Sequence, residues 1–272
     1  MDLLRYTFFQ HALLGSLLAS IACGIIGTYI VTRRLVFISG GITHASFGGI
    51  GLGLFAGISP ILSAAVFSVL SAFGVEWLSR RKDMREDSAI AVFWTLGMAL
   101  GIMFSFLSPG FAPDLSAYLF GNILTINQAD LWMLGILALI LTGFFYLFIR
   151  PIVYIAFDRE FARSQKIPVE IFEYVLMMFI ALTIVACLRM VGIVLAISLL
   201  TIPQMTANLL PTVSRKSSAV HRYRFSGMSG WSVYFLPLES PFGRFDYILL
   251  YSDLCHLQDR KELLQETVII IE

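Results

Sequence analysis

Charge is scarce in this 272-residue chain: 14% of its residues are Asp, Glu, Lys or Arg, against roughly a quarter in an ordinary soluble domain. The net charge is only +1, so the chain lacks the basic excess a nucleic-acid surface requires. Cysteine is nearly absent. Cys23, Cys187 and Cys255 lie too far apart for a CxxC metal knuckle, and three residues make no disulfide framework. None of the four lysines follows a glycine, so there is no GxxxxGK[ST] cradle for a nucleotide phosphate. HExxH, GxSxG and paired intramembrane aspartates are also missing, which leaves an intramembrane enzyme without support. Apolar residues are what remain: 58% are hydrophobic, with 23 Phe and 21 Gly, and mean hydropathy is +0.82. This composition excludes disorder and a secreted fold and indicates a polytopic membrane protein.

The first apolar run, residues 12–31, carries no charge over 20 residues, enough helix for about 30 Å of hydrocarbon. It is too long for a signal-peptide core and ends in Arg33-Arg34 without a cleavage site. Further runs fall near 41–58, 60–78, 88–108, 131–149, 168–187 and 191–210. They lack period-2 alternation, and bilayers admit only helices or closed barrels, so they read as helices. The expected fold is all-α with seven recognisable transmembrane helices. Pro60 and Pro168 suit first helical turns, Thr125 or Asn127 suits an N-cap, and Pro203 suggests a kink. Basic residues cluster at Arg33-Arg34, Arg80 to Arg85 and Arg159 to Lys166. Alternating helices put all three clusters on one side, the cytoplasmic one; Arg189, at the outer end of the sixth run, is the exception.

The second run is unusual, with Gly40, Gly41, Gly48, Gly49, Gly51 and Gly53 surrounding one histidine, His44. Gly49, Gly53 and Gly57 form two GxxxG steps suited to close helix packing. His44 has two readings. It is a hydrogen-bonded member of that packing seam, or it lies on a transport pathway, where an ionisable intramembrane group is functional by default and neutral imidazole ligates zinc, manganese or iron. Glu76 beside Trp77 reads as an interfacial anchor rather than a ligand. Asp87 complements a helix N-terminus. Asp114, in the outer loop, either receives a cation or contacts a partner. Met177-Met178 reads as packing or lipid-facing. The stretch 157–167 places Phe157, Phe161 and Ala162 at helical spacing among charged residues. It is either a solvated connector or a coupling helix for a groove on another protein.

Five blocks, in order, resemble the transmembrane subunits of ABC-type zinc, manganese and iron importers. They are Arg33-Arg34-Leu35 with His44-Ala45; Arg85-Glu86-Asp87-Ser88-Ala89-Ile90; Asp114-Leu115 with Leu119-Phe120-Gly121-Asn122; Phe157-Asp158 with Glu160-Phe161-Ala162; and Val191-Gly192 through Leu200-Thr201-Ile202-Pro203 and Thr206-Ala207. The resemblance covers about residues 5–210. It implies a permease domain over 1–210 in a bacterial cell (inner) membrane, acting as a homodimer with a second copy of itself. An ATPase subunit would carry the ATP, and an extracytoplasmic metal-binding protein would deliver the ion. A divalent metal is then substrate, with no cofactor held permanently. His44 would face the metal, and Phe157, Asp158, Glu160, Phe161 and Ala162 would form the ATPase coupling loop. Two positions depart from the pattern. Gly40 stands where the family usually has an acidic residue one turn before the histidine, which weakens hard-cation selectivity, and Lys166 stands where the coupling loop usually ends in glycine. A permease for a larger chelate, such as a siderophore or cobalamin, is the alternative transporter; such chains are usually longer.

After Leu210 the resemblance stops. The first 210 residues hold 23 charges and the last 62 hold 14, roughly double the density, with no run near the ~20 apolar residues a span needs. The family implies about eight helices. A reading-frame shift near codon 210 accounts for both features and leaves 211–272 as an atypical polar tail. The competing account is a genuine cytoplasmic tail. The shift predicts that another frame encodes an apolar stretch of about 18–22 residues, long enough to span.

Overall fold

The computed structural model describes residues 6–81, 84–108, 121 and 126–209. Regular structure among them is entirely helical: α1 (Thr7–Thr32), α2 (Val36–Ala56), α3 (Pro60–Arg80), α4 (Glu86–Leu107), α5 (Gln128–Leu147), α6 (Ile149–Phe157), α7 (Arg159–Ser164) and α8 (Val169–Leu209). Among the described residues, five segments are long and apolar enough to cross a membrane, namely α1, α3, α4, α5 and Val169–Leu188 of α8. The termini carry the expected chemistry. Pro60 opens α3. Asn127 and Asp130 make a reciprocal capping box at α5, with bonds of 2.9 and 3.1 Å. Pro168 sits one residue before α8, and its carbonyl accepts from Ile171 and Phe172.

α2 is diluted by glycine, serine and threonine, yet 14 of its 21 residues are buried, enclosed by α3, α4 and α8. Its hydroxyls bond back to its own carbonyls, as Ser39 does to Val36 at 2.7 Å and Ser46 to Thr43 at 2.6 Å. That satisfies them without foreign partners. Its glycines serve two neighbours. A β-carbon at Gly49 would sit 2.6 Å from the Ala64 Cα, and one at Gly53 would sit 2.9 Å from the Pro60 Cα, so this pair faces α3. Gly57 takes a different part. It has open space around it and a φ of +68°. Together with the Ile58 to Gly53 and Gly57 to Leu54 bonds, it ends α2 in a Schellman motif.

The other face of α2 meets α4. Gly40, His44, Gly48 and Gly51 recur at helical spacing, and across from them stand Trp94, Gly97 and Gly101. A β-carbon at Gly97 would overlap the Ala45 backbone, and one at Gly101 would sit 2.7 Å from the Phe47 carbonyl oxygen. Gly97→Leu is therefore expected to force the two helices apart at a cost of about 1–3 kcal/mol or more, read as a lower unfolding midpoint in detergent. Gly143→Leu is the control, because a β-carbon at Gly143 meets nothing within 4 Å. Equal midpoints for the two variants would show that the seam is loose.

The last two apolar runs form one helical element broken at Gly192, whose φ of 75° and ψ of 174° belong essentially to glycine alone. Contacts along α1 show that the chain reverses there. Glu173 lies beside Arg33, Cys187 beside Cys23, and Met190 against Gly15. Past Gly192 the chain lies back beside the middle of α1, with the Leu200 carbonyl against Gly27 and Gln204 donating to the Cys23 carbonyl at 3.2 Å. Gly121, itself at φ +66°, packs on the Val191-Gly192 turn. The second limb runs on from Gly192 as apolar helix to Leu209. Pro203 lies inside it, while the non-helical backbone falls at Gly192 rather than at the proline.

Candidate functional site

His44 lies midway along α2 on the stripe that meets α4. It is half-buried, and its ring stacks on Trp94 at 4.5 Å between centroids with 10° between planes. Its Nδ1 is buried without a hydrogen-bond partner. The space one turn earlier belongs to the same indole, since a β-carbon at Gly40 would lie 3.4 Å from Trp94 Cζ3. Trp94 thus stands where an acidic side chain at position 40 would reach. Among the described residues no three of His, Cys, Asp or Glu cluster closely enough to hold a metal. Within one chain, His44 offers a single nitrogen donor, which suits passing contact with an ion rather than tight retention.

The basic clusters gather at one end of the helices, where they meet buried acids. Glu173 is the hub, its side chain 5% exposed, with Arg33 at 3.0 Å, Arg80 at 2.8 Å and Arg159 at 2.6 Å. The Arg159 Nε is off line for a hydrogen bond there, so that contact is charge attraction alone. Arg80 also holds Glu76 at 2.7 Å, and Arg159 holds Glu86 at 2.9 Å. Arg33 donates to the Ile155 carbonyl at 2.9 Å. Burial disfavours the Arg159 charge, but Glu173 and Glu86 outweigh it and hold its pKa above the ordinary arginine value. Burying this many charges is tolerable only because each has an opposite partner. Glu76 is therefore an inward-facing ion-pair member, not the interfacial anchor its neighbour Trp77 suggested. Glu173 escaped the sequence reading, although an acid inside an apolar run is itself a signal.

Within the stretch 157–167, Arg159–Ser164 folds as the short helix α7, with Phe157 at the end of α6. Asp158 caps α7 by accepting from the Glu160 and Phe161 amides at 2.9 and 3.0 Å. Ala162 is buried against Ile155 and Val169, while Phe157 is 78% and Phe161 46% exposed. Glu160 pairs with Arg163 at 2.7 Å on the surface. Lys166 has φ +58° and ends α7 through bonds from Lys166 to Arg163 and from Ile167 to Ala162, a second Schellman motif. The left-handed backbone explains why glycine suits this position, and a lysine there costs about 1–2 kcal/mol. Asp114 lies outside the described residues, as does the whole stretch 210–272.

The ABC 3 transport family matches residues 5–226, beyond residue 210, where the sequence reading ended the resemblance. An uncharacterized membrane protein of Synechocystis is 42% identical over 200 residues, 74% of this chain and 71% of that protein. The manganese transport system membrane protein MntC of Halalkalibacterium halodurans is 36% identical over 212 residues, 77% of this chain and 72% of that one. Among solved structures, PsaBC from Streptococcus pneumoniae in complex with Fab superposes with a TM-score of 0.73, covering 96% of this chain and 92% of that chain at 23% identity, a likeness of fold. Two relatives above 30% identity over most of their length, and a family match spanning most of this one, make the chain a polytopic all-α membrane protein of the ABC 3 transport family.

Proposed function

We propose that this chain is the transmembrane subunit of an ATP-driven importer for free divalent transition-metal ions, working as a pair of copies with a separate ATPase and an extracytoplasmic metal-binding protein. Its permease unit is residues 1–210. The observation that carries the reading is His44, whose buried Nδ1 has no hydrogen-bond partner and lies on a glycine-rich helix in the middle of the bundle. An imidazole nitrogen with no hydrogen-bond partner keeps a lone pair available to an ion. Manganese is the first ion to test, because relatives are named for it. Zinc and iron follow, since a nitrogen-centred site without the carboxylate at position 40 favours borderline ions.

The test is uptake of radiolabelled manganese, zinc and iron by cells lacking their own importers and expressing this chain with its neighbouring ATPase and binding protein. Uptake of a free ion, undiminished by excess siderophore or cobalamin, is the expected result. Transport of a chelate with no response to free ions would replace this reading with the chelate permease.

A further inference from the structure

The Arg85-Glu86-Asp87 block opens α4, and neither the metal pathway nor the helix dipole explains why its middle residue reaches another element. Glu86 accepts from Arg159 of α7 at 2.9 Å across 73 residues of sequence. Asp87 pairs only loosely with Arg85, two residues before it, at 3.9 Å on the surface. We propose that Glu86 is a positioning residue that ties α7 to α4, and that through this tie a movement of α7 is passed to the α2–α4 pair that carries His44.

The mechanical path is short and continuous. Trp94 lies eight residues beyond Glu86 on the same uninterrupted helix, about 12 Å along a stiff rod. α2 and α4 meet backbone to backbone at Gly48, Gly51, Gly97 and Gly101, so a displacement of one carries the other with little slack. Among the described residues, Glu86–Arg159 is the only ion pair joining α2 or α4 to α7. Arg159 is also held by Glu173, which fixes α1 and α3 through Arg33 and Arg80. One guanidinium therefore touches an acid of α4 and an acid of α8. A pull on α7 moves α4 relative to α1 and α8, and the tight α2–α4 seam carries His44 and its stacked Trp94 with it.

This inference rests on α7 being the ATPase coupling helix, and the experiment separates the two. Glu173 is a poor target because its loss strands Arg33 and takes a partner from Arg80 and Arg159 as well. Glu86 is better, being more than a third exposed with one cationic partner. In the assembled transporter, Glu86→Gln should leave ATPase co-purification and ATP hydrolysis unchanged. The metal moved per ATP should fall roughly two- to thirtyfold, the range found for residues along a coupling path. Glu86→Asp, which keeps the charge, should restore most of it. An unchanged metal-to-ATP ratio in Glu86→Gln overturns the tie while leaving α7 as the docking helix. Loss of the ATPase in Glu86→Gln also overturns it, making Glu86 a docking residue. An Asp158/Glu160 reversal that leaves complex and transport intact removes the coupling reading itself, whatever Glu86 does.

Discussion

His44→Leu is expected to lower metal uptake at least about 10–100-fold, the loss that follows removal of even an outer partner of a metal ligand, while the protein remains in the membrane at normal abundance. Leucine approximates the imidazole in bulk and keeps dispersion contact with Trp94. The substitution orphans no hydrogen-bond partner at Nδ1, because that atom has none. The usual penalty for deleting a buried polar group arises when its partner is left unsatisfied, and here that penalty is absent. The two readings of His44 therefore separate cleanly. A packing histidine tolerates leucine with little change in stability or transport. A pathway histidine loses the only nitrogen that this face of α2 offers an ion. Initial uptake rates, normalised to immunoblotted protein and to co-purified ATPase, make the measurement. A wild-type rate in His44→Leu returns the residue to the packing seam and withdraws the metal assignment.

What the sequence made legible was whatever depends on local pattern. Apolar run lengths located the helices, and the basic clusters at Arg33, Arg80 and Arg159 meet at one end, as alternation of spans requires. The motif at 157–167 was visible as an amphipathic stretch, although its cap at Asp158 and its left-handed stop at Lys166 depend on backbone angles. Long-range partnerships were not legible. Gly97 and Gly101 carry GxxxG spacing, but nothing local says that they face Gly48 and Gly51. Glu173 sits 140 residues from Arg33 and 93 from Arg80, and only the folded path of α8 beside α1 unites them. Hydropathy separated two final runs, yet the reversal between them rests on one φ angle at Gly192. Helical packing also altered the meaning of single residues. Glu76, beside an exposed tryptophan, turns inward because Arg80 lies one turn further along the same face.

Reversing both charges of the proposed coupling helix, Asp158→Lys with Glu160→Lys, is expected to detach the proposed ATPase from the membrane complex or to let it hydrolyse ATP without moving metal. The structure supplies the competing cost. Asp158 caps α7, and losing a cap costs about 1 kcal/mol. Glu160 gives up an exposed pair with Arg163, which contributes about 0.5 kcal/mol at most. Together these are too small to unfold a helix held from below by Ala162 in its cluster with Ile155 and Val169. Loss of the partner then reflects the altered surface rather than a melted α7. Asp158→Asn provides the internal control, because asparagine caps as well as aspartate but removes the charge. A graded loss, small for Asp158→Asn and large for the double reversal, identifies charge as the determinant. Beside these acids the exposed rings of Phe157 and Phe161 are the natural anchors for a partner's groove, since buried aromatics dominate interface energies. The readouts are ATPase recovered with affinity-tagged permease and metal transported per ATP hydrolysed. If both stay at wild-type values in the double reversal, the helix is a solvated connector and the ATPase docks elsewhere.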